Sequence, residues 1–152
     1  MWDKCISSHF YITINYNFTT IRNSQLLELV HFDICELNGI LTRGSNRYFI
    51  TFIDDCSRYT YVYLMRSKDE TFNNFICYKS VVENQMEKKI KILRSDRGGE
   101  YLLTEFILYC EENGIIHQRS EPYIPQQNGL VKRKNRTLVE MINAMILNAK
   151  LS

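Results

Sequence analysis

Leu93-Arg94-Ser95-Asp96-Arg97-Gly98-Gly99-Glu100-Tyr101, residues 93–101, carries a short hydrophobic run into a carboxylate and then directly into a Gly-Gly turn. Further along, Pro125-Gln126-Gln127-Asn128-Gly129-Leu130-Val131-Lys132-Arg133-Lys134-Asn135-Arg136 passes from a Gln/Asn/Gly loop into a strongly basic stretch. A strand ending in an acid is informative because ligand sites in α/β sheets gather at the carboxyl ends of parallel strands. The two segments read as two halves of one site.

Upstream lies a second strand of the same kind. Leu26-Leu27-Glu28-Leu29-Val30-His31-Phe32-Asp33-Ile34-Cys35 is almost continuously apolar, as a strand buried on both faces must be, and it carries Asp33 near its far end. Tyr48-Phe49-Ile50-Thr51-Phe52-Ile53-Asp54 and Tyr59-Thr60-Tyr61-Val62-Tyr63-Leu64-Met65 are aromatic and β-branched, and Asp55-Cys56-Ser57-Arg58 between them predicts a hairpin. Their rings are expected in the sheet core, and Asp54 and Asp55 read as turn acids rather than catalytic ones.

Ser67-Lys68-Asp69-Glu70 has the form of a capping box, and Phe72, Phe75, Ile76, Val82 and Met86 recur at helical spacing behind it. Ile90, Ile92 and Leu93 then build the short strand that ends at Asp96. Thr104 can cap a second helix with Phe106, Tyr109 and Cys110 on one face and Asn113-Gly114 as its left-handed stop. Ile115-Ile116-His117 is a further short strand, and Glu121 to Gly129, with two prolines and a glycine in nine residues, is irregular. A last helix is predicted from about Asn128 to Asn148, with Val131, Leu138, Ile142, Met145 and Ala149 inward and Lys132, Arg136, Glu140 and Asn143 along an outer line. The order strand, strand, strand, helix, strand, helix, strand, helix gives an α/β layer structure: a five-stranded mixed sheet with helices on both faces.

At 152 residues and 45% hydrophobic, the chain fits one domain with a real core. Residues 1–25 read as a lead-in segment and 26–152 as the domain. A net charge of +2 is too small for whole-molecule attraction to nucleic acid, so any such affinity must come from the local cluster Lys132, Arg133, Lys134 and Arg136. Five scattered cysteines, Cys5, Cys35, Cys56, Cys77 and Cys110, lack metal-knuckle or disulfide-framework spacing and read as reduced, hence an intracellular protein, nuclear or cytoplasmic. No apolar run approaches a membrane span, so no membrane partner is expected.

Carboxylate oxygens suit Mg²⁺, and two such ions about 4 Å apart can activate an attacking oxygen and stabilise a leaving one in phosphodiester chemistry. Asp33 and Asp96 are the candidates. The residues alone leave a second account open, in which Asp33 pairs with Arg94 or Arg97 and Asp96 opens the Gly98-Gly99 turn.

The segments around Asp33, from Tyr48 to Thr60, from Lys91 to Tyr101 and from Pro125 to Leu138 together resemble the integrase catalytic core of copia-type retrotransposons. The resemblance runs from about Leu26 to the end. It implies a ribonuclease H-like fold, Mg²⁺ or Mn²⁺ as cofactor, DNA (element ends and target) as partner, assembly into a homo-oligomer, and a metal-dependent polynucleotidyl transfer that integrates DNA. It further implies catalytic and metal-binding roles for Asp33 and Asp96, and DNA contact by Gln126, Gln127, Asn128, Lys132, Arg133, Lys134 and Arg136.

The family completes its acidic set with a glutamate thirty-five residues after the second aspartate. Thirty-five residues after Asp96 the next position is Lys132, so the third acid is missing. Two other departures accompany it: Cys35-Glu36-Leu37 follows the first acid where the family has Cys-Gly-Pro, and residues 1–25 carry no zinc-module ligand set. Two functions follow: an integrase-type core impaired at its third acid, or a non-catalytic nucleic-acid-binding or assembly module on the same scaffold.

Overall fold

The computed structural model describes residues 25–37, 45–95, 104–119, 133, 136–141 and 144. Five strands, β1 (Leu29–Glu36), β2 (Tyr48–Asp54), β3 (Thr60–Met65), β4 (Ile92–Ser95) and β5 (Ile116–Arg119), form one sheet in the order β3-β2-β1-β4-β5. The first three are antiparallel neighbours, whereas β4 runs parallel to both β1 and β5. The apolar run at 26–35 thus becomes the central strand, as its two-sided burial requires. It starts later than the apolar pattern suggests, because residues 26–28 form a turn, with Leu27 at φ 59.

A 3-10 turn at Lys68–Glu70 leads into α1 (Thr71–Met86), and α2 is Thr104–Glu112. Ser67 caps this start, accepting from the Asp69 amide. The capping box is incomplete, since the Glu70 carboxylate takes the Arg66 amide at 3.3 Å instead of reaching back to Ser67. Helix α2 closes as predicted: Gly114 sits at φ 67, where L side chains are strained, and Ile115 N donates to Cys110 O at 2.8 Å.

Alternation along the strands separates two core layers. Phe32, Ile50, Phe52, Tyr61, Tyr63 and Leu93 face α1 and α2, packing against Phe75, Tyr78, Val82, Phe106 and Cys110. Tyr78, absent from the expected inward set, stacks on Phe52 with ring centroids 4.5 Å apart and planes 9° apart. On the opposite face Leu37, Phe49 and Val62 pack with Leu138, with Cys35, Leu64 and Val139 against them. Residues 136–141 are helical, so the final helix covers this second face. Its expected inward residues Val131, Ile142, Met145 and Ala149 lie outside the described residues.

The cysteines correct one expectation. Cys77 is disulfide-bonded, with its partner outside the described residues, while Cys35, Cys56 and Cys110 form no disulfide. Sequence spacing reports local frameworks only, and Cys77 is brought to its partner by tertiary folding.

Candidate active site

Asp33 lies near the carboxyl end of β1 and pairs across β2 with Thr51. By strand alternation it shares a face with His31 and Cys35, and therefore with the layer that meets Leu138 and Val139. This is the face covered by the helix that follows the basic stretch. Its carboxylate is partly buried; Oδ1 accepts from the Ile34 amide at 2.9 Å, and the Cys35 thiol lies 4.0 Å from Oδ2. Burial pushes that thiol up to about 12, with the Asp33 charge adding to the effect. Cys35 is consequently held as a neutral thiol.

The parallel register of β1 and β4 runs Leu29 to Ile92, Val30 to Leu93, His31 to Arg94 and Phe32 to Ser95. Phe32 immediately precedes Asp33 and Ser95 immediately precedes Asp96 in the chain, so the strands deliver the residues before the two acids side by side. Asp96 itself lies outside the described residues, as do Gln126, Gln127, Asn128, Lys132 and Lys134. Arg133 and Arg136 are helical and exposed. Among the described residues no three His, Cys, Asp or Glu side chains cluster as a metal site.

The alternative account of Asp33 named Arg94 or Arg97 as its partner, and Arg97 lies outside the described residues. The Arg94 guanidinium instead donates to Gln118 Oε1 at 3.0 Å, across to β5. Two neighbouring acids have structural duties. Asp55 receives His31 Nε2 at 2.9 Å and lies 3.8 Å from Arg58. Asp54, buried, accepts from the Leu27 amide and from both the amide and the hydroxyl of Ser57. The reading of both as turn acids agrees with these bonds.

A pair that the sequence does not announce lies on the other face: Ser95 Oγ and His117 Nε2 are 2.9 Å apart. Burial, assisted by the Arg119 charge, lowers the His117 pKa below the ordinary imidazole value. The unfolded chain therefore binds the extra proton more readily, and stability falls as pH drops from about 6.5 toward the depressed folded value, levelling off below it. Thermal midpoints measured from pH 7.5 to 5 are expected to fall more steeply for the wild type than for His117→Gln. Parallel curves would show that His117 carries no such linkage.

The Integrase core domain family profile matches residues 24–125. This chain belongs to the integrase core domain family. It is 42% identical over 138 residues to the retrovirus-related Pol polyprotein from transposon TNT 1-94 of Nicotiana tabacum, a match covering 91% of this chain and 10% of that protein. Identity is 37% over 128 residues to the Pol polyprotein from transposon RE2 of Arabidopsis thaliana, covering 84% of this chain and 9% of the relative. The chain thus spans about a tenth of the length of these curated relatives. Among solved structures, the HTLV-2 integrase catalytic core domain in complex with magnesium superposes with TM-score 0.61 at 16% identity, covering 84% of this chain and 76% of that one. The BIV integrase catalytic core gives TM-score 0.55 at 19% identity over 78% of this chain and 70% of that one. The integrase core therefore has the ribonuclease H-like fold expected of it.

Proposed function

We propose that this chain is the catalytic-core portion of a retrotransposon integrase whose DNA-integrating chemistry is impaired at its third acidic position. The domain is assigned to residues 26–152, with 1–25 as a lead-in segment. The observation that carries the reading is the in-register pairing of Phe32 with Ser95, each the residue before one acid, at the parallel strand ends. Asp33 and Asp96 would hold one divalent cation, Mg²⁺ or Mn²⁺. The donor set fits: Asp33 offers a hard, partly buried carboxylate near the end of a parallel strand. Such an ion supplies Lewis-acid activation of phosphodiester oxygens. Lys132 in place of a glutamate leaves a second ion without its oxygen ligand.

This chain's own contribution to DNA is phosphate contact. Gln126, Gln127, Asn128, Lys132, Arg133, Lys134 and Arg136 form one basic, amide-rich stretch, suited to holding a backbone without reading sequence. Self-assembly into a homo-oligomer around DNA is part of the same reading; the HTLV-2 neighbours include trimeric and dimeric forms. Lys132 also motivates the second reading, a non-catalytic module that keeps the fold and the DNA contact.

Both readings require the basic helix, so it is tested first. Binding of a labelled duplex is followed by anisotropy across a salt series for the wild type and for Arg133→Glu/Arg136→Glu. The double variant is expected to bind at least about tenfold more weakly, with a log–log salt slope shallower by about 2, near 0.9 for each lost phosphate contact. An unchanged slope would remove this helix from the DNA interface.

A further inference from the structure

We propose that His117 is a positioning residue, bracing the ends of β1 and β4 from the sheet face opposite Asp33. The proposal rests on the assignment of Asp33 and Asp96 as the metal-holding pair.

His117 stands on the edge strand β5, where it pairs with Leu93. By alternation its side chain shares the face of Phe32 and Ser95 rather than that of Asp33. One imidazole touches both strands at the positions that count. Nε2 lies 2.9 Å from Ser95 Oγ, and the ring centroid lies 6.4 Å from that of Phe32. Phe32 and Ser95 are register partners, and each is one peptide away from an acid. A side chain fixed at one strand position fixes the direction in which the next leaves on the other face, because consecutive Cβ atoms alternate.

The surroundings suit a brace. Ser95 is 3% exposed and Phe32 is 2% exposed, and Phe106 of α2 closes over Phe32 with centroids 6.1 Å apart. In such a layer a leucine would pack as well as a histidine. What the imidazole adds is a directional hydrogen bond to β4, which a purely apolar layer lacks. A metal-binding pair needs its carboxylates held within about half an ångström, and supports of this kind are what hold them. The depressed pKa keeps the ring neutral near pH 7, so the brace adds no positive charge behind the site.

The test uses the chain with Mn²⁺ alone as probe, free ion being counted by electron paramagnetic resonance, in the wild type, Asp33→Asn, His117→Phe, His117→Gln and Ser95→Ala. Asp33→Asn is expected to abolish the site. His117→Phe and Ser95→Ala are expected to weaken Mn²⁺ affinity about tenfold, the lower end for supports outside the coordination shell, while His117→Gln, whose amide reaches the position of Nε2, recovers most of it. In the metal-free chain, amide exchange at positions 33 and 96 should speed up by about tenfold in His117→Phe and Ser95→Ala and return toward wild type in His117→Gln. Should Asp33→Asn bind Mn²⁺ like the wild type, the metal assignment fails and the role in positioning it fails too. Wild-type affinity and exchange in both His117→Phe and Ser95→Ala, beside a dead Asp33→Asn, would overturn the brace and leave the metal assignment standing.

Discussion

Replacing Lys132 with glutamate is expected to raise Mn²⁺- or Mg²⁺-dependent nicking and strand transfer by about 100-fold or more over the wild-type chain, with no change in fold. The argument is one of charge and ligand count. Two unit charges about 4 Å apart interact by roughly 4 kcal/mol at an effective dielectric of 20, and an ammonium facing a divalent ion by about twice that. Turning the lysine away or deprotonating it relieves part of this repulsion, but neither supplies the missing carboxylate oxygen. A third of that penalty, together with the regained ligand, already reaches about 3 kcal/mol, and each 1.36 kcal/mol is a factor of ten in rate. Glu140, eight residues later in the sequence, cannot stand in, being about 12 Å further along a helix at 1.5 Å per residue. The measurement compares both proteins on a labelled duplex carrying an element-type end, with Asp33→Asn in the Lys132→Glu background as control. Equal and robust activity in wild type and Lys132→Glu would sink the claim that position 132 disables the site. Silence in both, with Asp33 intact and Mn²⁺ bound, would favour the non-catalytic module.

Periodicity carried most of the fold. The nearly continuous apolar run leading to Asp33 called for a central strand, and β1 has β2 on one side and β4 on the other. What stayed hidden depends on partners distant in sequence. Residues 26–28 match the strand pattern, yet the Leu27 amide is taken by Asp54, twenty-seven residues away, and the chain turns there instead. Tyr78 lies outside the apolar set at helical spacing, yet the fold buries it in a stack on Phe52. Cys77 was read as reduced because no local spacing marks a disulfide. At the site, Asp33 and its strand were legible, since an isolated acid at the end of an apolar run is conspicuous. His117 was not, because its meaning lies in a bond to Ser95, twenty-two residues earlier.

Asp54→Ala is expected to destabilise the domain by about 3 kcal/mol, lowering the thermal midpoint by about 6–12 °C, while leaving Mn²⁺ affinity close to wild type at temperatures well below the transition. Asp54 is 3% exposed and its carboxylate accepts three hydrogen bonds: Oδ1 from Leu27 N at 3.0 Å, Oδ2 from Ser57 N at 2.9 Å, and Oδ2 from Ser57 Oγ at 2.6 Å. One carboxylate therefore ties the lead into β1 to the β2–β3 hairpin. It also holds two segments in conformations that non-glycine residues resist, Leu27 at φ 59 and, within the same turn, Arg58 at φ 62. Alanine would leave the Leu27 amide buried without its acceptor, and each orphaned donor costs about 1–3 kcal/mol. Asparagine keeps one acceptor oxygen but must present its amide nitrogen to a donor, so Asp54→Asn should fall between wild type and alanine. Differential scanning calorimetry resolves the three. A midpoint for Asp54→Ala within about a degree of wild type would show that the turn is held by backbone bonds alone, among them Arg58 N to Asp54 O at 2.8 Å. Loss of Mn²⁺ binding from the folded Asp54→Ala protein would instead move Asp54 from the scaffold into the site. The two acids differ in placement: Asp54 lies on the face packed by α1 and α2 with its oxygens committed to Leu27 and Ser57, and Asp33 lies on the face that meets the final helix.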